Sequence, residues 1–319
     1  MKRRTVLALP AALALPAVLS GRARAQAKPS LAFVVNNPSD FWTIARRGIE
    51  KANREHPDYA MEMILPGQST AAEQRRIVDE LLARKVAGIA ISPINPANST
   101  DMLNRAAAGS VLFCTDSDAP NSNRAVYIGT DNVAAGREAG AQIKRALPGG
   151  GKAMLFVGTM DADNARERAQ GIKEVLAGSN VELVDIRTDE SDVARAKRNA
   201  EDVLAKYSDI AVMAGLWSYN TPQIYQAVKA AGREGKVKIV GFDEDPMTLR
   251  GITEGVISST VVQQPYEFGY QSMKGLVRYI GGDKSFIPAD KKIIVATRIV
   301  DKGNVAEFTS QMRELTRGA

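Results

Sequence analysis

Histidine and cysteine are almost absent from this sequence, and their scarcity limits the chemistry it can perform. The 319 residues include one histidine, His56, and one cysteine, Cys114. A structural zinc site needs four ligands of this kind, and a nucleophilic cysteine needs a histidine partner. Cys114 ends the apolar run of residues 110–114, where a buried small hydrophobe is expected. The sequence predicts no disulfide within the chain, no metal centre and no cysteine-dependent enzyme.

The sequence also lacks a phosphate-binding motif, and beyond residue 25 it has no clear excess of basic residues. The net charge is +6, but residues 1–25 hold five basic residues and no acidic one, which leaves 37 basic against 36 acidic. No basic stripe remains in the rest of the sequence, so nothing predicts nucleic-acid binding. The run Pro148–Gly151 lacks the GxGxxG and GKS/GKT arrangements and precedes a strand. It predicts a turn and not a phosphate cradle.

The first 25 residues have the pattern of a cleavable export signal. Basic residues Lys2–Arg4 precede the apolar run Val6–Leu19, and small residues follow. The run contains two prolines and is too short to cross a bilayer. We therefore expect a signal peptide over residues 1–25, cleaved at Ala25 or Ala27. Its arginine pair is similar to a twin-arginine signal, and that route and general secretion both stay open.

After residue 30, short apolar runs alternate with segments of helical periodicity. Leu31–Val35 and Val111–Thr115 predict buried strands, and the apolar spacing of Phe41–Glu55 predicts an amphipathic helix. Thr70 followed by Glu73 forms a capping box that opens another helix. The alternation repeats in both halves of the chain. It predicts an α/β fold with two similar lobes, each a parallel sheet covered by helices.

Polar and aromatic residues collect where the predicted strands end. Asp116 and Asp243 each follow a strand, and Arg168 lies one turn into the helix after another. Ligands of parallel sheets bind outside the carboxyl ends of the strands, so we expect one shared crevice. Carboxylates accept bonds from hydroxyls, an arginine donates them, and aromatic faces cover C–H faces. This combination favours a polyhydroxylated ligand, although any single aspartate could instead cap the next helix.

Seven short motifs occur in order and spacing along the mature chain. They are Asn36-Asn37-Pro38 with Phe41-Trp42, Ile91-Ser92-Pro93, Thr115-Asp116, Thr130-Asp131-Asn132 with Gly136, Ala165 to Arg168 with Gly171, Val240 to Asp243, and Val261 to Gln263. In these motifs the whole mature chain resembles the periplasmic sugar-binding proteins of ABC transporters, in the ribose-binding-like group, the type I periplasmic binding proteins.

This resemblance implies two doubly wound parallel-sheet lobes joined by a three-strand hinge, with the ligand between them. The implied N-terminal lobe is residues 28–130 plus 264–291, and the C-terminal lobe is residues 131–263 plus 292–319. Two aromatic residues would stack on one face of a sugar, and the charged and amide residues would bond its hydroxyls and ring oxygen. The implied ligand residues are Asn37, Phe41, Trp42, Asp116, Arg168, Asp243 and Gln263.

The sequence departs from the ribose binders where the pocket is built. Two extra residues, around Ser39-Asp40, separate Asn37 from the aromatic pair, and Ser191 stands where an aromatic residue of the opposite lobe is expected. In the ribose binders an arginine follows the strand-end aspartate, whereas Ser117 follows Asp116 here. Trp217 replaces an asparagine, and we include it as a candidate for the missing stacking face. A pentose, a hexose, a deoxy or branched sugar and a sugar alcohol all stay open.

The sequence thus predicts a monomeric periplasmic solute-binding protein with no catalytic residue and no cofactor. It would capture a monosaccharide or related polyol and deliver it to an ABC permease and its ATPase in the inner membrane. A sugar sensor that presents its ligand to a chemoreceptor or histidine kinase stays open as an alternative role. A sugar-processing enzyme is a further alternative, since Asp243 and Asp245 could form an acid pair.

Overall fold

The computed structural model describes residues 28–317, so the predicted signal peptide and its cleavage site lie outside the described residues. In chain order the strands are β1 (Ser30–Val34), β2 (Ala60–Ile64), β3 (Gly88–Ile91), β4 (Val111–Thr115), β5 (Val126–Gly129), β6 (Gly151–Val157), β7 (Val181–Thr188), β8 (Ile210–Gly215), β9 (Lys238–Phe242), β10 (Ser259–Val262), β11 (Lys292–Ile294) and β12 (Arg298–Asp301). The helices are α1 (Phe41–Glu55), α2 (Ala71–Ala83), α3 (Pro96–Gly109), α4 (Asn132–Ala146), α5 (Asp163–Leu176), α6 (Val193–Lys206), α7 (Asn220–Ala230), α8 (Pro246–Thr253), α9 (Pro265–Ile280) and α10 (Val305–Arg317).

The strands form two six-stranded sheets with matching order. The first sheet runs β11-β5-β4-β3-β1-β2 and the second β12-β10-β9-β8-β6-β7. Position by position, β1 of the first sheet corresponds to β6 of the second, and β4 to β9. All pairs are parallel except β10 with β12, which is antiparallel. The two-lobed α/β fold expected from the alternating pattern is confirmed.

Each sheet is buried on both faces, which explains why its central strands are almost wholly apolar. In β1, Leu31 and Phe33 join the cluster that contains Trp42 of α1, whereas Ala32 and Val34 join the cluster on the opposite face, with α2 and α3. Successive side chains of a strand point to opposite faces, so both must be apolar when helices cover both. The second sheet has a cluster on each face in the same way.

Glycines set the closest helix contact of the second lobe. A Cβ atom on Gly136 of α4 would lie 2.3 Å from the carbonyl oxygen of Arg168, and one on Gly171 of α5 would lie 2.2 Å from that of Val133. No real Cβ could occupy these positions, so only glycine lets the two backbones approach this closely. The contact fixes the position of α5 relative to α4, and with it the position of the first turns of α5, which carry Arg168.

Three chain segments cross between the sheets. They follow β5, β10 and β11, because α4 packs on the second sheet and α9 on the first. Neighbouring crossings are tied together: Thr130 Oγ1 donates to Gln263 Oε1 (3.0 Å), and Gln264 Nε2 donates to the carbonyl of Ala296 (2.8 Å). The predicted division of the lobes stays a prediction. At the third crossing, however, β11 pairs with β5 and extends the first sheet to Ile294, past the boundary expected after residue 291.

Four elements had no counterpart in the sequence prediction: α8, β11, β12 and α10. The signal for α8 was present, because Asp245 precedes a proline at the first helical position and its carboxylate accepts from the backbone N–H of Met247 (2.7 Å). Strands β11 and β12 have three and four residues, too few for a clear period. The capping box at Thr70 is confirmed at the start of α2, where the hydroxyl accepts from the N–H of Glu73 (3.2 Å).

Candidate functional site

The carboxyl ends of the strands of both sheets face one cleft, and the predicted site residues line it together. Every one of the eight lies around the same cavity. The first lobe and the crossings supply Asn37, Phe41, Trp42, Asp116 and Gln263, and the second lobe supplies Arg168, Trp217 and Asp243. The cavity wall also contains residues that the sequence did not select. They are Asn36, Ser39, Asn164, Ser218 and Tyr219.

Asp116 is the buried carboxylate of the first lobe. Its Oδ2 accepts from Ser92 Oγ (2.8 Å), from Asn36 Nδ2 (3.2 Å) and, across the cleft, from Asn164 Nδ2 (3.3 Å). Burial raises the pKa of this carboxyl, and the Arg168 charge and the three donors oppose that rise. The bond to Asn164 comes from the other lobe, so the two walls of the cleft already touch in this conformation.

Asp243 occupies the equivalent place in the second lobe, directly after β9. Its Oδ1 accepts from Gln263 Nε2 (3.0 Å). Burial raises the pKa of Asp243 to about 6, against the opposing charge of Arg168 and the bond from Gln263, while the nearby Asp116 adds to the rise. Both aspartates have a left-handed backbone, with φ of 60° for Asp116 and 67° for Asp243. Strained backbone of this kind is concentrated at functional sites.

Arg168 is the cation of the cleft and is 1% exposed. Its Nε donates to Asn132 Oδ1 (3.0 Å), and its Nη1 donates to the carbonyl of Leu216 (2.6 Å). The guanidinium lies 4.5 Å from the ring centroid of Phe242. These three contacts hold the planar group in one orientation, so its remaining nitrogen is presented to the cleft without further loss of side-chain entropy.

The aromatic pair of the first lobe is oriented differently from the sequence expectation. The rings of Phe41 and Trp42 are 4.9 Å apart and nearly perpendicular, at 86°. Trp42 also packs edge-on against Phe33 and donates from Nε1 to Asn36 Oδ1 (3.2 Å). The expectation that both rings stack flat on one sugar face is therefore wrong, because perpendicular rings cannot both be parallel to one plane. One of them can offer its face while the other offers its edge.

The opposite wall is built on the loop of residues 217–220, held by a buried carboxylate. Asp189 Oδ1 accepts from the hydroxyl of Tyr219 (2.5 Å), and its Oδ2 accepts from Nδ2 of Asn220 (2.8 Å). Asn220 Oδ1 in turn accepts from the backbone N–H of Trp217 (3.1 Å). Burial raises the pKa of Asp189 to about 6, although these donors oppose the rise. The indole of Trp217 lies against Gly158, where a Cβ would come within 2.1 Å of it.

Several buried polar atoms of the cleft have no hydrogen-bond partner among residues 28–317. They are Nη2 of Arg168, Nε1 of Trp217 and Oδ1 of Asn164. An unsatisfied buried donor or acceptor costs about 1–3 kcal/mol, so groups of this kind are rare in folded proteins unless something else pairs with them. Two donors and one acceptor around one cavity are the complement of a ligand that carries hydroxyl groups.

The polar cavity is small in this conformation, and a larger cavity lies beside it. The polar cavity holds ≈ 20 Å³, about the space of one water molecule. The neighbouring cavity, whose exposed surface is mostly apolar, holds ≈ 700 Å³. Size alone would favour the second as the site, but the unpaired donors of Arg168 and Trp217 and the buried carboxyl groups of Asp116 and Asp243 belong to residues that line the first. The lobes must separate before a ligand of several carbon atoms can enter the polar cavity.

Among the residues that sequence reasoning missed, two amides orient other site residues and one phenol is itself held in place by a buried carboxylate. Asn36 lies between Trp42 and Asp116, Asn132 holds Arg168, and Tyr219 is held by Asp189. An asparagine after a strand is equally expected as a helix cap, so its type alone did not distinguish the two roles. A weak signal existed, since Asn36 and Asn132 are next to Asn37 and Asp131, and Tyr219 is two residues after Trp217.

Three further features of the described chain concern its cysteine, its possible metal ligands and its most apolar helices. Cys114 is fully buried, as predicted, and burial raises the pKa of its thiol. Among residues 28–317, no group of three or more His, Cys, Asp or Glu side chains is arranged to hold a metal ion. None of the helices in that range is long and apolar enough to cross a bilayer.

Known proteins are similar to this chain over most of its length. The chain is 25% identical, over 305 residues, to the ribose import binding protein RbsB of Escherichia coli (strain K12). The aligned region covers 92% of this chain and 99% of RbsB. Its fold is similar to a solved ABC transporter solute binding protein from Burkholderia graminis C4D1M in complex with D-arabinose. The TM-score is 0.82 at 28% identity, over 86% of this chain and 96% of that chain.

A second solved structure of the same fold is the XylFII-LytSN complex. It matches with a TM-score of 0.80 and 25% identity, over 86% of this chain and 98% of that chain. RbsB and the Burkholderia graminis protein are named as binding proteins and not as enzymes. A family model described as a periplasmic binding protein domain matches residues 31–284. The resemblance drawn from the seven motifs is thereby confirmed, and the chain belongs to the periplasmic binding protein family.

Proposed function

We propose that this protein is a periplasmic receptor that captures a monosaccharide or a related polyol between its two lobes and delivers it to an ABC importer. The observation that carries the proposal is the convergence of the eight predicted residues on one interlobe cavity with unpaired buried donors and an unpaired acceptor. A relative named for ribose and a solved relative in complex with D-arabinose support the sugar class. The predicted signal peptide supports export.

The charges of the cleft favour a neutral ligand. Two carboxylates, Asp116 and Asp243, and one guanidinium, Arg168, face the same cavity. The two carboxylates would repel an anionic ligand, and Arg168 offsets part of their attraction for a cation. Sugar hydroxyls suit both kinds of group, because they donate to carboxylates and accept from the guanidinium in charge-assisted bonds.

Capture would proceed by closure of the two lobes on the sugar. In the open form Asp116 and Arg168 are hydrated on separate walls. The bound sugar bonds to both walls, so it stabilises the closed conformation more than the open one and shifts the population toward closure. The face of Trp217 would cover the ring from the second lobe, in place of the aromatic residue that Ser191 cannot supply.

A thermal-shift screen tests this function and names the ligand class. The purified protein is heated with D-ribose, D-arabinose, other pentoses, hexoses, deoxy sugars and polyols. A ligand at 100 times its Kd should stabilise the folded state by about 2.7 kcal/mol, which is a shift of several degrees for a chain of this size. A panel that produces no shift would contradict the proposal.

Two arginines of α5 provide the matched control. Arg168→Gln removes the guanidinium that faces the cavity, whereas Arg166→Gln alters an exposed arginine that pairs with Asp163 outside the cavity. The shift should disappear in the first variant and persist in the second. Equal shifts in both variants would show that the sugar binds elsewhere.

A sensor role is the second candidate, and the similarity to the protein of the XylFII-LytSN complex favours it. In that role the sugar-bound closed form would dock on a receptor protein in place of a permease. Cells that lack this protein would then lose a sugar-dependent response while uptake of labelled sugar continues. Loss of uptake itself would assign the protein to import.

A further inference from the structure

A second cavity adjoins the polar cleft, and the proposed function does not use it. It lies between α1 of the first lobe and α8 and α10 of the second, with a volume of ≈ 700 Å³. This volume is in the ordinary range for small-molecule sites, which is roughly 300–1,000 Å³. The side chains of Phe41 and Ser218 line both this cavity and the polar cleft. The two spaces are therefore neighbours that share a wall.

The walls of the second cavity differ in character from those of the cleft. Most of the surface that they expose to the cavity is apolar and includes Ile44, Leu249 and Met312, although several charged residues also line it. One wall also contains Glu244, which is 6% exposed and whose two carboxyl oxygens have no hydrogen-bond partner among residues 28–317. Burial, and the neighbouring Asp243, raise the pKa of Glu244, which favours its neutral form. Glu244 therefore adds an unpaired hydrogen-bonding group to a cavity whose exposed surface is mostly apolar.

The loop that borders this cavity is also where the sequence departs from the ribose binders. The two additional residues around Ser39-Asp40 precede α1, and Asp40 lines the second cavity. The departure therefore coincides with the boundary between the polar and apolar spaces. A longer loop at this point changes which substituents of a bound ring can extend past Phe41.

We propose that the ligand is a glycoside, a sugar whose anomeric oxygen carries an apolar group such as an aromatic ring. This inference rests on the proposed function and specifies its substrate class. The sugar ring would occupy the polar cleft, and the apolar group would extend past Phe41 and Ser218 into the second cavity. One molecule of this kind would pair the unsatisfied polar atoms of the cleft and remove the apolar walls from water.

Calorimetric titration of matched sugars tests the inference. The protein is titrated with each free sugar, with its α- and β-methyl glycosides, and with its α- and β-phenyl glycosides. For at least one sugar and anomer, the phenyl glycoside should bind at least tenfold more tightly than the methyl glycoside. The comparison keeps the sugar and the glycosidic bond constant, so the difference measures the apolar group alone.

Two neighbouring positions of α10 give a variant and its control. Thr309 is half-buried and lines the second cavity, so Thr309→Phe should fill that space. Ser310 is exposed and does not line the cavity, so Ser310→Phe adds the same side chain elsewhere. The phenyl advantage should disappear in Thr309→Phe and persist in Ser310→Phe, while methyl glycosides bind equally to both.

The outcomes separate this inference from the proposed function. If free sugars bind and no phenyl glycoside binds more tightly than its methyl counterpart, the inference is overturned and the proposed function stands. Phenol or benzyl alcohol that binds equally well in the presence of a saturating sugar would also overturn it, because the cavity would then be an independent apolar site. If no sugar and no glycoside binds, both the inference and the proposed function fail.

Discussion

At the scale of single residues, the site consists of charged groups that are buried more deeply than their positions in the sequence indicated. Asp116, Asp243 and Arg168 are each at most 3% exposed. Their residue types and places after strands were enough to predict that they share a cleft. Their partners had only a weak signal in the sequence, because Asn36, Asn132 and Asn164 differ from helix caps only in what they contact.

Ligand affinity should depend on pH through Asp243. Burial holds the pKa of this carboxyl at about 6, and its charged form makes the stronger bonds to sugar hydroxyls. The affinity should be constant above pH 7 and should fall severalfold between pH 7 and pH 5, as Asp243 takes up a proton. Calorimetry across this range checks the trend, and in Asp243→Asn the fall should be smaller. An equal fall in both proteins would assign the pH dependence to another group.

Asp189 should act on ligand binding through Trp217. Asp189→Asn places an amide against the Tyr219 hydroxyl and the Asn220 amide, both of which donate to the carboxylate. We expect a loss of about 1–3 kcal/mol in the free energy of unfolding, a changed Trp217 fluorescence in a Trp42→Phe background, and weaker sugar binding. Glu190→Gln, at an exposed neighbouring position, is the control. Normal affinity in Asp189→Asn would contradict this positioning role.

The stability that Asp189 contributes also has a definite pH dependence. Its folded pKa, about 6, is higher than the ordinary value of 3.8, so the folded state binds the proton more tightly than the unfolded state. The contribution is complete below about pH 4 and is lost as the pH rises through 6. The difference in unfolding free energy between wild type and Asp189→Asn should therefore shrink, by at most about 3 kcal/mol, between pH 4 and pH 7. Denaturant unfolding at both pH values measures it.

At the scale of elements, the sequence predicted those helices and strands whose apolar residues recur with a clear period. The bounds of α1 and β4 match the prediction residue for residue, because their apolar spacing is clear over their whole length. The exposed β11 and the antiparallel β12 are set by pairing with β5 and β10. Such contacts are formed by residues far apart in the chain and leave no local pattern in the sequence.

The contact between α4 and α5 should be intolerant of any side chain. Gly136→Ala would bring a Cβ within 2.3 Å of the carbonyl oxygen of Arg168, so the helices must move apart. Overpacking of this kind costs about 1–3 kcal/mol, and the displaced Arg168 should also weaken sugar binding. Gly149→Ala, where an added Cβ meets nothing within 4 Å, is the control. Unchanged stability and affinity in Gly136→Ala would contradict the role of this contact.

At the scale of the whole molecule, the two sheets repeat one architecture and place one carboxylate each at the shared cleft. Asp116 follows β4 and Asp243 follows β9, and these strands hold the same place in their sheets. The lobes meet through the bond of Asn164 to Asp116 and through that of Asn95 Nδ2 to Asp161 Oδ2 (3.2 Å). With a cavity of ≈ 20 Å³ between them, entry of a sugar requires these bonds to open.

Opening and closure should be visible in solution. Without sugar, small-angle scattering should give a radius of gyration larger than that of the closed structure, and a binding sugar should reduce it. A sugar that gives no thermal shift serves as the control and should leave the radius unchanged. If a sugar that binds leaves the radius of gyration unchanged, the hinge mechanism is contradicted.

The central claim is that both lobes bind one sugar in the polar cleft. Calorimetric titration of the sugar found by the thermal screen tests it most directly, with Asp116→Asn from the first lobe and Arg168→Gln from the second. We predict one site per chain in the wild type, at least a tenfold loss of affinity in each variant, and no loss in Arg166→Gln. Wild-type affinity in either cleft variant would contradict the claim.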